Sequence, residues 1–330
     1  MKTVILREKK EDLIKGADII KNGGLVAFPT ETVYGLGADA KNSNAVGKVY
    51  EAKGRPQDNP MIVHIANFEE LYDIAETVTP DMIKMAKKFW PGPMTMIVRN
   101  NGSIPEITTG GLETVGVRLP DNITARTLIQ LSNTPIAAPS ANISGRPSPT
   151  RPEHVKRDLE GKIDAIIWGK PCEVGIESTV IDMTQDKPMI LRPGGVTRET
   201  IEKVVGRKVL LDPYLNKKQN DGTNFTPKAP GMKYRHYAPK ASIVIYEGSE
   251  NDVDRAIEVD ARRMQSEGKK VKILLFETPV AAMHTWFDEL RKADDNSVDV
   301  ILTNALPEEG LGFSVMNRML KSSGFNIKKV

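Results

Sequence analysis

The chain predicts an α+β fold: a twisted mixed sheet with a few helices, followed by a long linker and a small Rossmann-like α/β domain. Three observations carry that reading. Up to residue 205, short apolar runs bounded by Gly, Pro, Asn and Asp outnumber the helical patterns and alternate with them irregularly. From Gly206 to Lys240 the composition turns to Asn, Lys, Gly, Pro and Tyr without amphipathic period, and the stretch exceeds the ~12 to 15 residues beyond which a structureless loop is usually functional or disordered. From residue 241 to 330 strand and helix patterns alternate regularly, which argues a parallel sheet. The predicted units are therefore 1–205, 206–240 and 241–330, and a chain of 330 residues fits two domains.

Lys10 to Lys21 carries Leu13, Ala17 and Ile20 at helical spacing, and Asn22-Gly23-Gly24 stops it. Leu25 to Phe28 begins a strand. Phe28-Pro29-Thr30-Glu31-Thr32-Val33-Tyr34-Gly35-Leu36-Gly37 then breaks it with Pro, hydroxyls and glycines, the pattern of a binding loop at a strand end. Asn44 to Lys53 is a helix that delivers Lys53 at its C-terminal end, where Gly54 and Pro56 stop it. Pro60 to Ile65 is a strand with Ile62 and His64 on one face and Met61, Val63 and Ile65 on the other. Strands follow at Met94–Val98, Val115–Leu119, Ile136–Ala138, Ala165–Trp168, Ser178–Asp182 and Met189–Leu191; helices lie near Asp81–Phe89, Ala125–Ser132, Arg151–Leu159 and Arg198–Val205. Beyond the linker, strands at Ile243–Tyr246, Val271–Phe276 and Asp299–Leu302 alternate with helices at Val253–Glu267 and Val280–Lys292.

No apolar stretch approaches the ~20 residues of a membrane span. The short apolar segment near Met1 meets charges at once and no small-residue cleavage site follows, so the expected location is the cytoplasm. A single cysteine, Cys172, excludes an internal disulfide and a Cys-based metal cage, and the sequons at Asn122, Asn142 and Asn224 are then chance. A net charge of +3 makes no nucleic-acid footprint by itself. The exception is local: Arg207, Lys208, Lys217, Lys218, Lys228, Lys233, Arg235 and Lys240 face only Asp212 and Asp221, a net of +6 within Gly206–Lys240.

Lys53-Gly54-Arg55-Pro56-Gln57-Asp58-Asn59-Pro60 and Ser140-Ala141-Asn142-Ile143-Ser144-Gly145 together describe a polyphosphate site. Lys and Arg bring positive charge, while Ser, Asn and Gly bring short donors and approachable backbone. The bland alternative for Lys53 and Arg55 is a solvated helix end that complements the helix dipole. Gly35-Leu36-Gly37-Ala38-Asp39-Ala40 fits a loose dinucleotide pattern, but Pro29 interrupts the strand before it and no clean βαβ unit frames it. No Gly-x-x-x-x-Gly-Lys-Ser/Thr occurs, so a P-loop is excluded. His64 on a strand is by base rate a satisfied, partly buried histidine. Arg118, on an otherwise apolar strand, needs an anion, either a carboxylate of the protein or one of a substrate. The four histidines show no pairing at ligand spacing, so no metal ligands are assigned.

Phe28-Pro29-Thr30-Glu31-Thr32-Val33-Tyr34-Gly35-Leu36, Lys53-x-Arg55 with Asn59-Pro60, Pro91-Gly92-Pro93-Met94-Thr95, Val117-Arg118-Leu119-Pro120, Ser140-x-Asn142 and Leu191-Arg192-Pro193-Gly194 occur in the order seen in YrdC-like proteins. With Tyr234-Arg235-His236-Tyr237-Ala238-Pro239 added, the whole chain resembles the two-domain threonylcarbamoyl-AMP synthases. The resemblance implies a YrdC-like N-terminal domain and a reaction of L-threonine, bicarbonate or CO₂ and ATP to L-threonylcarbamoyl-AMP and pyrophosphate. The product serves a separate tRNA threonylcarbamoyl-transfer machinery that makes threonylcarbamoyladenosine next to the anticodon. It implies Mg²⁺ with the ATP, and no protein nucleophile. Lys53 and Arg55 would be the catalytic residues and bind the triphosphate with Asn59 and Arg192; Ser140, Asn142 and Ser148 would donate to phosphate, ribose or adenine; Tyr234 and His236 would bind ATP as part of a basic lid. Thr32, His64, Arg118 and Ser178 would hold threonine, with Thr30 and Tyr34 as neighbours. Two other classes compete: an RNA-binding module, disfavoured by aromatics of only 5%, and a carbamoyl-transferase subunit, whose zinc-finger and acylphosphatase-like segments are missing. Direct tRNA binding stays open.

Overall fold

The computed structural model describes residues 2–215, Ala229 and 237–330. β1 (Val4–Arg7) leads into α1 (Lys10–Lys21), whose buried Leu13, Gly16, Ala17 and Ile20 form one helix face. β2 (Val26–Phe28) and β3 (Gly35–Asp39) precede α2 (Ser43–Lys53), which starts where the Asn42 side chain accepts from the amides of Asn44 and Ala45. The chain continues through β4 (Ile62–His64), a 3₁₀ turn at Phe68–Leu71, α3 (Pro80–Phe89), β5 (Met94–Arg99), α4 (Glu106–Thr109) and β6 (Thr114–Arg118). Next come α5 (Ile123–Ser132), β7 (Ile136–Ala137), α6 (Pro152–Leu159), β8 (Ala165–Trp168), β9 (Thr179–Asp182), β10 (Met189–Arg192), α7 (Arg198–Val205) and β11 (Leu210–Leu211).

These strands form one mixed sheet in the order β1-β8-β2-β3-β7-β4-β6-β5-β9-β10-β11. Parallel and antiparallel pairs are mixed along it, as the irregular strand and helix pattern predicts. α1 and α5 cover one face, packing Leu13, Ala17, Ile20, Leu128 and Ile129 against Leu6, Val26, Phe28 and Ile167. The other face carries the larger core, with Val46, Val49, Met82, Met85, Val155 and Ile201 from four helices over Leu36, Val63, Met96 and Val117.

The C-terminal region adds β12 (Ser242–Glu247), α8 (Glu250–Ser266), β13 (Val271–Leu274), α9 (Pro279–Asp295), β14 (Val300–Asn304), α10 (Gly310–Ser323) and β15 (Ile327–Lys329). Its sheet runs β13-β14-β12-β15 with every pair parallel, so the predicted small α/β domain is present. α8 covers one face through Val253, Ile257 and Ala261. On the other face Trp286, Phe287, Leu290, Val315 and Met319 of α9 and α10 share a core with Val33 and Ile176 of the large sheet's loops. That shared core seats the small domain against one end of the large one.

Four elements differ from the sequence reading or add to it. Gly35–Asp39 is a strand rather than the tail of a loop, and it is glycine-rich because a Cβ on Gly37 would meet Ile136 Cγ2 and Phe28 Cε1 at 2.8 Å. The large sheet does not end at Leu191, since β11 pairs with β10 at its edge. The apolar segment near the N-terminus is edge strand β1, paired with β8. Gly310–Ser323, in which the paired glycines masked a stripe of Val315, Met316, Met319 and Leu320, is a helix.

Because Gly37 lies between fully buried side chains, Gly37→Ala overpacks the core and lowers stability by about 1 to 3 kcal/mol. Urea unfolding measures it; an unchanged midpoint would show that the strand relaxes freely there.

Candidate functional site

Three loops meet at one end of the large sheet, and backbone bonds fix them to each other. Tyr34 N donates to Pro149 O at 2.8 Å, Ala141 N to Tyr34 O at 2.8 Å, and Val174 N to Glu31 O at 2.7 Å. Within the first loop the Thr30 hydroxyl donates to Val33 O at 2.6 Å and accepts the amides of Thr32 and Val33. This Thr-based turn explains why the loop needs hydroxyls after Pro29.

The loops enclose a cleft of about 640 Å³, counted with its solvent-open mouth. Of the residues expected from sequence, Thr30, Thr32, Arg55, His64, Arg118, Ser140, Asn142, Ser148 and Arg192 all line it. His64 and Arg118 are register partners on the parallel pair β4 and β6, so their side chains leave the sheet on the same face. Sequence reasoning missed Arg146, Glu177 and Tyr237 on the same wall. Arg146 lies in the Ser-Gly-Arg turn just past Ser140-x-Asn142, Glu177 directly precedes Ser178, and Tyr237 closes the Tyr-Arg-His-Tyr motif. Each stood one or two residues from a named position. Tyr234 and His236 lie outside the described residues, as do Lys217, Lys218, Lys228, Lys233 and Arg235 of the basic linker.

Lys53, Asn59 and Ser178 stand behind the wall. Lys53 is 2% exposed rather than in an open loop, and its amine donates to Ser140 O and, at 2.6 Å, to Asn142 O. Burial, with Arg55 nearby, pushes that amine well below its ordinary pKa, and two N–H groups serve both carbonyls in either protonation state. Arg55 donates to Asn59 O at 3.1 Å and Pro60 O at 2.8 Å, so the Asn59 backbone aims a guanidinium into the cleft. Arg192 donates to Ser178 O at 3.0 Å and to its hydroxyl at 3.1 Å, while Thr95 bonds the same hydroxyl at 2.8 Å. Burial holds Arg192 down to about 10, which keeps it cationic at neutral pH. Tyr34 points away from the cleft, its hydroxyl donating to Lys170 O.

Arg118 has a protein partner. Its Nη2 lies 2.8 Å from Glu31 Oε1, with both side chains almost fully buried. The expectation that this arginine awaits a carboxylate is thus met in part from within, and both Glu31 oxygens lack a well-directed hydrogen bond among the described residues. The arrangement can offer an incoming carboxylate the Arg118 guanidinium, which lines the cleft, while Glu31 stands behind it. Four guanidiniums, of Arg55, Arg118, Arg146 and Arg192, line a cleft that has Glu177 as its one lining carboxylate among the described residues. That charge balance selects anions.

Comparison with known proteins agrees across the chain. Residues 18–194 match the Sua5/YciO/YrdC family model, described as telomere recombination, and residues 196–324 match the model of the threonylcarbamoyl-AMP synthase C-terminal domain. A threonylcarbamoyl-AMP synthase of Pyrococcus abyssi is 48% identical over 326 residues, covering 95% of this chain and 94% of the relative. One of Bacillus subtilis is 43% identical, covering 94% and 93%. The crystal structure of P. abyssi Sua5 complexed with L-threonine superimposes with a TM-score of 0.94 at 46% identity, covering 100% of both chains.

His64 gives the site a pH signature. Burial, reinforced by Arg118, pushes the imidazole down to about 3, so it is neutral in the folded chain at neutral pH. The unfolded histidine takes up a proton as pH falls below about 6.5 while the folded one does not, so this group removes stability by up to about 1.4 kcal/mol per pH unit between those values. His64→Gln is expected to flatten the fall in urea stability from pH 6.5 to about 4.5 relative to wild type. Parallel curves would contradict a neutral, buried His64.

Proposed function

The chain belongs to the two-domain threonylcarbamoyl-AMP synthase family, and we propose that it condenses L-threonine, bicarbonate or CO₂ and ATP into L-threonylcarbamoyl-AMP and pyrophosphate. The observation that carries the proposal is the convergence of Arg55, Ser140, Asn142 and Arg192 with Thr32, His64 and Arg118 in one cleft. One group suits a polyphosphate and the other an amino acid. The L-threonine held by the P. abyssi protein supports the second assignment.

The threonine amine becomes a carbamate, whose oxygen attacks the α-phosphorus as pyrophosphate leaves, so no protein nucleophile takes part. The residues contribute by holding the two reactants and neutralising charge. Arg55 and Arg192 meet phosphate oxygens, and Lys53 with Asn59 acts from behind by fixing the Ser140–Asn142 loop and Arg55. Ser178 supports Arg192 and the amino-acid end together. Arg118 takes the threonine carboxylate while sharing its charge with Glu31. Mg²⁺ enters with ATP as part of the substrate. Among the described residues no three His, Cys, Asp or Glu side chains group as a metal site, and Glu31 and Glu177 are already paired with Arg118 and Arg318. Among them, too, no helix is long and apolar enough to cross a membrane. The product passes to the tRNA-modifying machinery of the cytoplasm. The division into 1–205, 206–240 and 241–330 belongs to the same proposal.

Incorporation of labelled bicarbonate by the purified protein tests this. Product and pyrophosphate are expected only when ATP and L-threonine are both present; threonine-independent hydrolysis to ADP and phosphate as the main activity would overturn it. Arg55→Ala is expected to weaken ATP binding roughly ten- to a hundredfold, the loss of one charge-assisted contact of about 1.5 to 3 kcal/mol. Wild-type affinity in that variant would remove Arg55 from the phosphate site.

A further inference from the structure

The small domain reaches the cleft through one buried side chain. Arg318, on α10, is fully buried, and its Nε donates to Glu177 Oε2 at 2.9 Å. The other oxygen of Glu177, Oε1, accepts the hydroxyl of Ser148. Ser148 and Glu177 both line the cleft, and the Tyr237 ring lies 5.8 Å below the Arg318 guanidinium. The next residue back is held from the same side, because Arg291 of α9 donates to Pro147 O at 2.5 Å and to Asp158 at 2.9 Å.

We propose that Arg318 is a positioning residue for the nucleotide: through Glu177 it fixes the Ser148 hydroxyl as a hydrogen-bond acceptor, so that Ser148 meets an O–H or N–H of the nucleoside rather than a phosphate oxygen. The reasoning is an inventory of protons. A hydroxyl has one hydrogen and two lone pairs, and an ionised carboxylate only accepts. Burial disfavours the charged form of Glu177, but Arg318, Arg192 and Ser148 outweigh it and hold the carboxyl below its ordinary pKa. The Ser148 hydrogen is therefore committed to Glu177. Its lone pairs remain, and they repel phosphate oxygens while fitting a ribose hydroxyl or the adenine amine. This replaces the expectation that Ser148 donates, and it gives the C-terminal domain a defined part in the site.

The proposal rests on the ATP reading of the cleft, and a double-mutant cycle measured by both ATP calorimetry and turnover separates the two. Ser148→Ala and Arg318→Met are each expected to raise the ATP dissociation constant and KM about three- to tenfold, with threonine KM within about twofold. The double variant should be no worse than the weaker single, because both remove the same contact. Arg318→Lys should recover part of the loss. Additive effects, or equal losses for ATP and threonine, would overturn the proposal. If Arg318→Met does not fold, Glu177→Gln in the same cycle decides: its amide can donate to Ser148 and free the hydroxyl hydrogen, so ATP binding must weaken, and unchanged ATP affinity overturns the proposal. A wild-type protein that binds ATP yet makes no threonylcarbamoyl-AMP defeats the functional reading alone. One that binds no ATP defeats both.

Discussion

Between Ser140 and Pro147 several backbone carbonyls are met by buried side chains and loop amides rather than by a strand ladder, and the site depends on those donors. A buried carbonyl without a donor costs roughly 1 to 3 kcal/mol, so a loop with several cannot hold its shape unaided. From the large domain Lys53 serves Ser140 O and Asn142 O. From the small domain Arg291 serves Pro147 O, and from the segment leading into it the amide of Ala238 serves Gly145 O at 2.9 Å. The side chain of Asn142 closes the turn by donating to Ile143 O and Arg146 O. Ser140, Asn142, Arg146 and Ser148 thus owe their positions on the cleft wall largely to donors behind it, Lys53 and Arg291, together with the side chain of Asn142 on the wall itself.

The same economy of charge joins the domains. α6 presents Arg157 and Asp158, with Arg151 just before it, and α9 answers with Asp295, Arg291 and Asp288. Glu177 and Arg318 add a fully buried pair beside the cleft. Removing one partner of such a pair strands the other in a low dielectric, at a cost of about 3 to 5 kcal/mol. The two domains are therefore electrostatically dependent where they touch, and the apolar contacts of Val33 and Ile176 with the α9 and α10 core lie beside that charge. Shape at the cleft and docking of the small domain are one constraint.

Much of this was legible in the chain. Helical spacing located α1, α2 and α7, and the change from irregular to regular alternation separated the mixed sheet from the parallel one. The ordered motifs and the resemblance they carry named nine residues that line the cleft. What stayed hidden was direction and pairing. Lys53 ends a helix, which reads as solvated, yet Gly54 turns the chain so that the amine folds under the distant Ser140 loop. Arg118 reads as solitary because Glu31 comes from a loop far away in sequence. α10 carries two glycines in its first turn, which weakens its helical signal, yet Gly312 is needed where a Cβ would meet Pro307 O at 2.0 Å. Long-range partners of buried charges carry no local period, so pattern reading cannot supply them.

Amide hydrogen exchange across residues 140–146 in Lys53→Met, set beside wild type, probes the dependence of this loop on its buried donors. The amides of Ala141, Ser144 and Arg146 bond to Tyr34, Lys53 and Ile143, and strand β5 provides an internal reference within the same core. The account predicts faster exchange in the loop with β5 unchanged. Equal protection of the loop in both proteins would show that it holds its shape without Lys53, and the central claim would fail.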